Sequence, residues 1–140
     1  MMRYRRLEMC FVLIVCLAST VTFAGDVEKE AVKAAESWLA LVDAGDYGES
    51  WTQSAELFRK AVTPERWQEA LNATRKPFGN LVSREVKSTQ YFTSLPGAPD
   101  GEYVVIQFTT SYENKKDAVE TITPMKDPDG VWRVSGYFVK

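Results

Sequence analysis

Two hydrophobic rhythms divide the chain. From Val27 to Thr74 apolar residues recur at helical steps, and from Leu81 onward they alternate with polar ones. The first helical stretch starts at Asp26, which can cap it, and runs to about Ala44. Val27, Ala31, Ala34, Trp38, Leu41 and Val42 form its apolar stripe, and Glu28, Lys29, Glu30, Lys33 and Glu36 its wet face. Gly45 follows as a C′ residue. Asp46 can cap a second helix carrying Tyr47, Trp51, Ala55, Phe58 and Val62. Thr63-Pro64 reads as an N-cap followed by proline at the first helical position. The third helix then runs to about Arg75, with Trp67, Ala70, Leu71 and Thr74 inward, until Pro77 and Gly79 stop it.

The alternating half predicts four strands. Leu81–Leu95 is mixed on both sides, as expected at a sheet edge. Glu102–Tyr112 is the strongest strand signal, with Val104, Ile106, Phe108, Thr110 and Tyr112 on the face that should meet the helices. Asn114-Lys115-Lys116-Asp117 reads as a turn, with Lys115-Lys116 at a solvated hairpin tip. Ala118–Lys126 follows, and Pro124 within it removes a ladder donor and so predicts a bulge or an exposed edge. Asp127-Pro128-Asp129-Gly130 is a tight turn; it lacks the spaced ligands of a calcium loop. In Val131–Lys140, Trp132, Val134, Gly136 and Phe138 share one face, and Gly136 suggests a bend or a close approach. Helices first and strands after give an α+β class: three N-terminal helices on one face of a curved four-stranded antiparallel meander.

The first 24 residues change the picture. Arg3, Arg5 and Arg6 precede an apolar run from Met9 to Ala18, and Thr22-Phe23-Ala24 places small residues where a signal peptidase reads. The run is shorter than the ~20 residues of a spanning helix. A secretory signal peptide at residues 1–24, cut after Ala24, leaves one domain at 25–140 in the periplasm or outside the cell, with no stable membrane span. Both cysteines, Cys10 and Cys16, would leave with it, and the chain has no histidine. The mature domain then enters an oxidising compartment without a disulfide and relies on its core. Losing Arg3, Arg5, Arg6 and Glu8 moves the net charge from −2 to −4. A mildly acidic domain of this kind has no electrostatic footprint for nucleic acid.

Several segments carry a family likeness. They are Ala35-Glu36-Ser37-Trp38-Leu39-Ala40-Leu41-Val42-Asp43-Ala44-Gly45-Asp46-Tyr47 with Ser50-Trp51, then Thr93–Tyr103, Asn114-Lys115-Lys116, Glu120-Thr121 and Trp132–Phe138. On these residues the chain from about Ala34 to Lys140 resembles the bacterial family known as domain of unknown function 4019. Its helix-then-sheet pattern is similar to the nuclear transport factor 2-like and cystatin-like cone folds. That resemblance implies no activity, since such folds host binding, enzymatic and structural members.

Without histidine or cysteine in the domain, the usual nucleophile systems and the zinc, copper and haem sites of ordinary ligation fall away. No catalytic residue, metal site or cofactor is assigned. Asp43 and Asp46 flank Gly45 and are candidates for a general base, or for a solvated residue and a cap. Glu85 and Lys87, with Glu120 across the sheet, read as a surface ion pair. The aromatics are the richer set: Trp38, Tyr47, Trp51, Trp67, Phe108 and Tyr112 either line a pocket or fill a core. Three functions stay open. The first is a non-enzymatic module binding a small apolar ligand or an envelope protein. The second is a cone-fold enzyme moving a proton with a buried Asp or Glu and a tyrosine, and the third a structural envelope component. An enclosed desolvated carboxylate beside a tyrosine hydroxyl favours the enzyme, a carboxylate-free cavity favours ligand binding, and no cavity favours a protein partner.

Overall fold

A computed structural model describes residues 23–140, so the signal-peptide reading of residues 1–24 lies almost wholly outside the described residues. The helices are α1 (Phe23–Asp43), α2 (Tyr47–Thr52), α3 (Glu56–Ala61) and α4 (Pro64–Thr74), followed by a 3-10 turn at Lys76–Phe78. The strands are β1 (Leu81–Phe92), β2 (Tyr103–Tyr112), β3 (Lys115–Lys126) and β4 (Trp132–Val139). They form an antiparallel open sheet in the order β1-β2-β3-β4. The α+β class and the meander order are those the alternation predicts.

The helices cover one face of the sheet. Ala31, Ala35, Trp38, Leu39 and Val42 of α1 are buried against Val104, Ile106 and Phe108 of β2, Ile122 of β3, and Trp132 and Val134 of β4. Ala35 and Leu39 lie deeper in this core than Ala34 and Leu41, so the stripe is rotated slightly from its expected line. Asp26 lies in the first turn of α1 and does not start it. Thr63 caps α4 as expected, accepting a hydrogen bond from the Arg66 N–H at 3.3 Å.

The expected second helix is two. It breaks at Ser54-Ala55, where the Ala55 N–H turns away to the Val134 carbonyl of β4 at 2.8 Å. A bond to the sheet thus replaces a helical one, and periodicity alone carries no sign of it. Asp46 occupies the cap position of α2 without a side-chain cap bond. The Glu113-Asn114 hairpin also differs: Lys115 and Lys116 belong to β3, and Lys115 pairs with Tyr112.

Bulges account for the largest departures from simple alternation. The β3–β4 register shifts between Thr123 and Pro124, as Pro124 predicts, because Thr123 faces Gly136 while Pro124 faces Val134. Ser135 is the extra residue. Beyond it the phase of β4 is reversed: Tyr137 packs on the core and Phe138, expected inside with Trp132, is 60% exposed. In β1 the register with β2 skips Val82 and Lys87, so Leu81, Arg84, Val86, Thr89 and Tyr91 share the helix-side face. Unbroken alternation along this strand would instead put Val82, Arg84, Val86, Ser88, Gln90 and Phe92 on one side.

Candidate functional site

Asp43 is the last residue of α1, Arg75 follows α4, and Arg84, Thr110, Glu120 and Tyr137 come one from each strand. They meet on the helix side of the sheet. Arg84 donates from Nε to Glu120 Oε1 at 2.7 Å, and from its two terminal nitrogens to Asp43 at 2.7 and 3.0 Å. Glu120 Oε1 also accepts from the Thr110 hydroxyl at 2.6 Å, and Oε2 accepts from the Tyr137 hydroxyl at 2.5 Å. Arg75 donates to Asp43 at 3.2 Å and to the Gly79 carbonyl at 2.7 Å, and its guanidinium lies 4.2 Å from the Tyr112 ring centroid.

Glu120 has no exposed surface, and Arg75 is 3% exposed. Charges so placed persist only when paired and hydrogen-bonded, and here each carboxylate meets a guanidinium. Burial works against the charge on Arg84, but bonds and attraction from Asp43 and Glu120 outweigh it and raise its pKa above the ordinary arginine value. Burial, then the Glu120 charge, raises Tyr137 well above the ordinary tyrosine range. The same two causes push Tyr112 up to about 12. The Tyr112 hydroxyl and the Arg75 Nε–H are buried without a hydrogen-bond partner.

Asp43 and Arg75 also line a polar cleft of about 680 Å³. Its other walls are the α1–α2 turn from Ala44 to Gly48, the side chains of Gln68 and Asn72 on α4, and Lys76, Gly79 and Asn80. Gly79 is required here. Its φ is +76°, and a Cβ would stand 2.8 Å from a Glu113 carboxylate oxygen. That carboxylate accepts from the Asn80 backbone and side-chain nitrogens at 3.0 and 3.2 Å, so the β2–β3 hairpin clasps one rim of the cleft. No described cleft is lined by Thr110, Glu120 or Tyr137.

The aromatic candidates are distributed differently. Trp38, Trp67 and Phe108 are buried in the main core, where Trp67 also meets Phe58 edge-on at 5.0 Å. Tyr112 is buried beside Phe78, with ring centroids 5.3 Å apart. Trp51 is half-buried. The indole N–H groups are already engaged: Trp38 donates to the Ser50 carbonyl and Ser54 Oγ, Trp51 to the Val62 carbonyl, and Trp67 to Ser50 Oγ. Of the six, Tyr47 reaches the polar cleft, and Trp38 walls a smaller groove of about 390 Å³ with Leu41 and Trp132.

Glu120 is the clearest correction to the residue-level reading. It is a fully buried partner of Arg84, where a surface pairing with Glu85 and Lys87 was expected. Its position between Ala118 and Ile122, in the inward phase of β3, is the signal that could have revealed it.

The family model described as "Protein of unknown function (DUF4019)" matches residues 34–137. The chain belongs to the DUF4019 family. Every residue of the buried network and of the cleft falls within this DUF4019 segment. No curated protein and no solved structure matches the chain.

Proposed function

We propose that the domain acts outside the cytoplasm as a non-enzymatic binding module, and that the cleft beside Asp43 and Arg75 holds a small polar molecule. Its size of about 680 Å³ suits a metabolite-sized ligand. The carrying observation is that the cleft floor is fixed by the buried ion network: Asp43 and Arg75 are oriented before any ligand arrives, which lowers the ordering cost of binding. Around that floor stand the Gln68, Asn72 and Asn80 amides, the Tyr47 ring, and Asp46 and Lys76. This lining suits a hydroxyl-rich or zwitterionic compound better than the apolar ligand expected from the aromatics, whose rings and indole donors are engaged in the core. The export half of the reading rests on the Met1–Ala24 leader pattern.

Thermal-shift screening against sugars, amino acids and small carboxylates tests the binding. A ligand at 100 times its Kd adds about 2.7 kcal/mol. Asn72→Trp, at an exposed position on the cleft wall, should abolish the shift while leaving the free protein's Tm in place. A flat response across all three compound classes counts against the proposal. Mass spectrometry of exported protein tests the leader: the expected first residue is Gly25.

A second reading has one observation in its favour. Glu120 is a desolvated carboxylate 2.5 Å from a tyrosine hydroxyl, the pair a proton-transfer enzyme would use. A general acid or base must reach its substrate, however. Glu120 spends its oxygens on Arg84, Thr110 and Tyr137, and no described cleft is lined by it. Ligand binding that survives Tyr137→Phe unchanged is the outcome expected of the binding module.

A further inference from the structure

We propose that a second copy of this chain pairs with the free edge of β1 in an antiparallel, two-fold arrangement centred on Val86. β1 has one strand neighbour, so the outer edge of its 12 residues is open among the described residues. Three of its large apolar side chains are exposed although they stand on the helix-side face: Leu81 at 36%, Val86 at 45% and Tyr91 at 37%. Their rung partners on β2, Tyr112, Phe108 and Val104, are all buried.

Their spacing is symmetric. In rungs counted on β2, Leu81 stands opposite Tyr112 and Tyr91 opposite Val104, each four rungs from the Val86–Phe108 rung. Along β1 each lies five residues from Val86, and the register skips one residue on each side, Val82 before it and Lys87 after it, which makes the count an even four rungs. Bulges and lysines often blunt sheet edges. Here the two bulges instead keep the three apolar residues in phase, about 13 Å apart along the strand at the usual rise.

A two-fold axis through Val86 therefore sets Val86 on Val86 of the second copy and Leu81 on its Tyr91, twice. By the same rung count Glu85 faces Ser88 of the second copy, next to the bulged Lys87, again twice, so opposite charges stand near each other across the axis. Such an isologous contact closes on itself and does not propagate. β4, the other edge, exposes Phe138 on the opposite face of the sheet and has no comparable repeat.

Sedimentation velocity over a concentration series, together with disulfide trapping, tests the pairing. In a Cys10→Ser, Cys16→Ser background, Val86→Cys should form a covalent dimer on mild oxidation, because facing residues at the axis are about 4.5–5.5 Å apart between Cα atoms. Phe138→Cys should not. Glu85→Lys should weaken self-association about tenfold, since the reversed charge counts twice, and adding Lys87→Glu should restore it. Both sites are exposed, so neither change threatens folding. A protein that stays monomeric across the series, or a dimer that traps through residue 138 or ignores Glu85→Lys, overturns the proposal. None of these outcomes depends on whether the cleft binds a ligand.

Discussion

Arg84 is the guanidinium paired with Glu120, and it shares Asp43 with Arg75. Its side chain is 11% exposed, against 16% for Asp43 and 0% for Glu120. Arg84→Met would keep the stem's packing and leave buried Glu120 with hydroxyl donors but no cation, and an uncompensated buried charge costs about 3–5 kcal/mol. Urea denaturation should show a loss of that order, and Glu120→Gln in the same chain should recover part of it. A loss under about 1 kcal/mol would place the network with ordinary surface pairs. The tyrosines give a second residue-level expectation. Tyr112 titrates at about 12 in the folded protein, and Tyr137 is raised further in the same direction. Unfolded tyrosine ionises near ~10. The stabilisation is complete below that pH; above it the unfolded chain releases protons the folded chain keeps, so stability falls as pH rises from about 10 to 12. The urea midpoint measured across that window should drop more steeply for the native protein than for a Tyr112→Phe, Tyr137→Phe variant. Equal slopes would mean that these hydroxyls do not couple to folding.

At the level of elements, the bulge at Ser135 delivers Tyr137 to Glu120. Deleting Ser135 removes the extra residue and leaves the observed pairs in step, with Val134 opposite Pro124, Gly136 opposite Thr123 and Tyr137 opposite Ile122. Tyr137 would keep its inward phase and its bond to Glu120. Tyr137→Phe alone removes one bond to a charged group, worth about 1.5–3 kcal/mol. The deletion should cost less than that in urea, and near-UV circular dichroism should keep the signal of the Trp38–Tyr137 contact, where the ring centroids lie 5.3 Å apart. A deletion as costly as the point substitution, or one that loses the signal, would mean that Tyr137 does not hold its phase without the bulge. The same bulges mark how far the sequence could be read. β2 keeps unbroken alternation, and Val104, Ile106, Phe108, Thr110 and Tyr112 are all buried as the pattern predicts. β1 and β4 skip residues, so parity counted from one end assigns Thr89, Tyr91, Tyr137 and Phe138 to the wrong faces. Helical periodicity fails similarly at Ala55, where the deciding bond goes to a strand about eighty residues away.

For the whole molecule, helix-then-strand order sufficed for the class, because amphipathic helices and a one-sided sheet have few ways to bury each other. The candidate site was far less legible. Asp43 was visible as a carboxylate beside a glycine turn, but Arg75, Arg84, Thr110, Glu120 and Tyr137 are joined only by the fold. Arg84 stands 41 residues from Asp43 and 36 from Glu120. That separation also has a consequence in time. The chain must close both of these loops before Arg84 can hold both carboxylates, so the full network forms only after helix and sheet have docked. Contacts made that late are absent from the folding transition state and act mainly on the rate of unfolding. The buried charges would then serve this cysteine-free domain as a latch, setting how long the folded state lasts more than how quickly it forms.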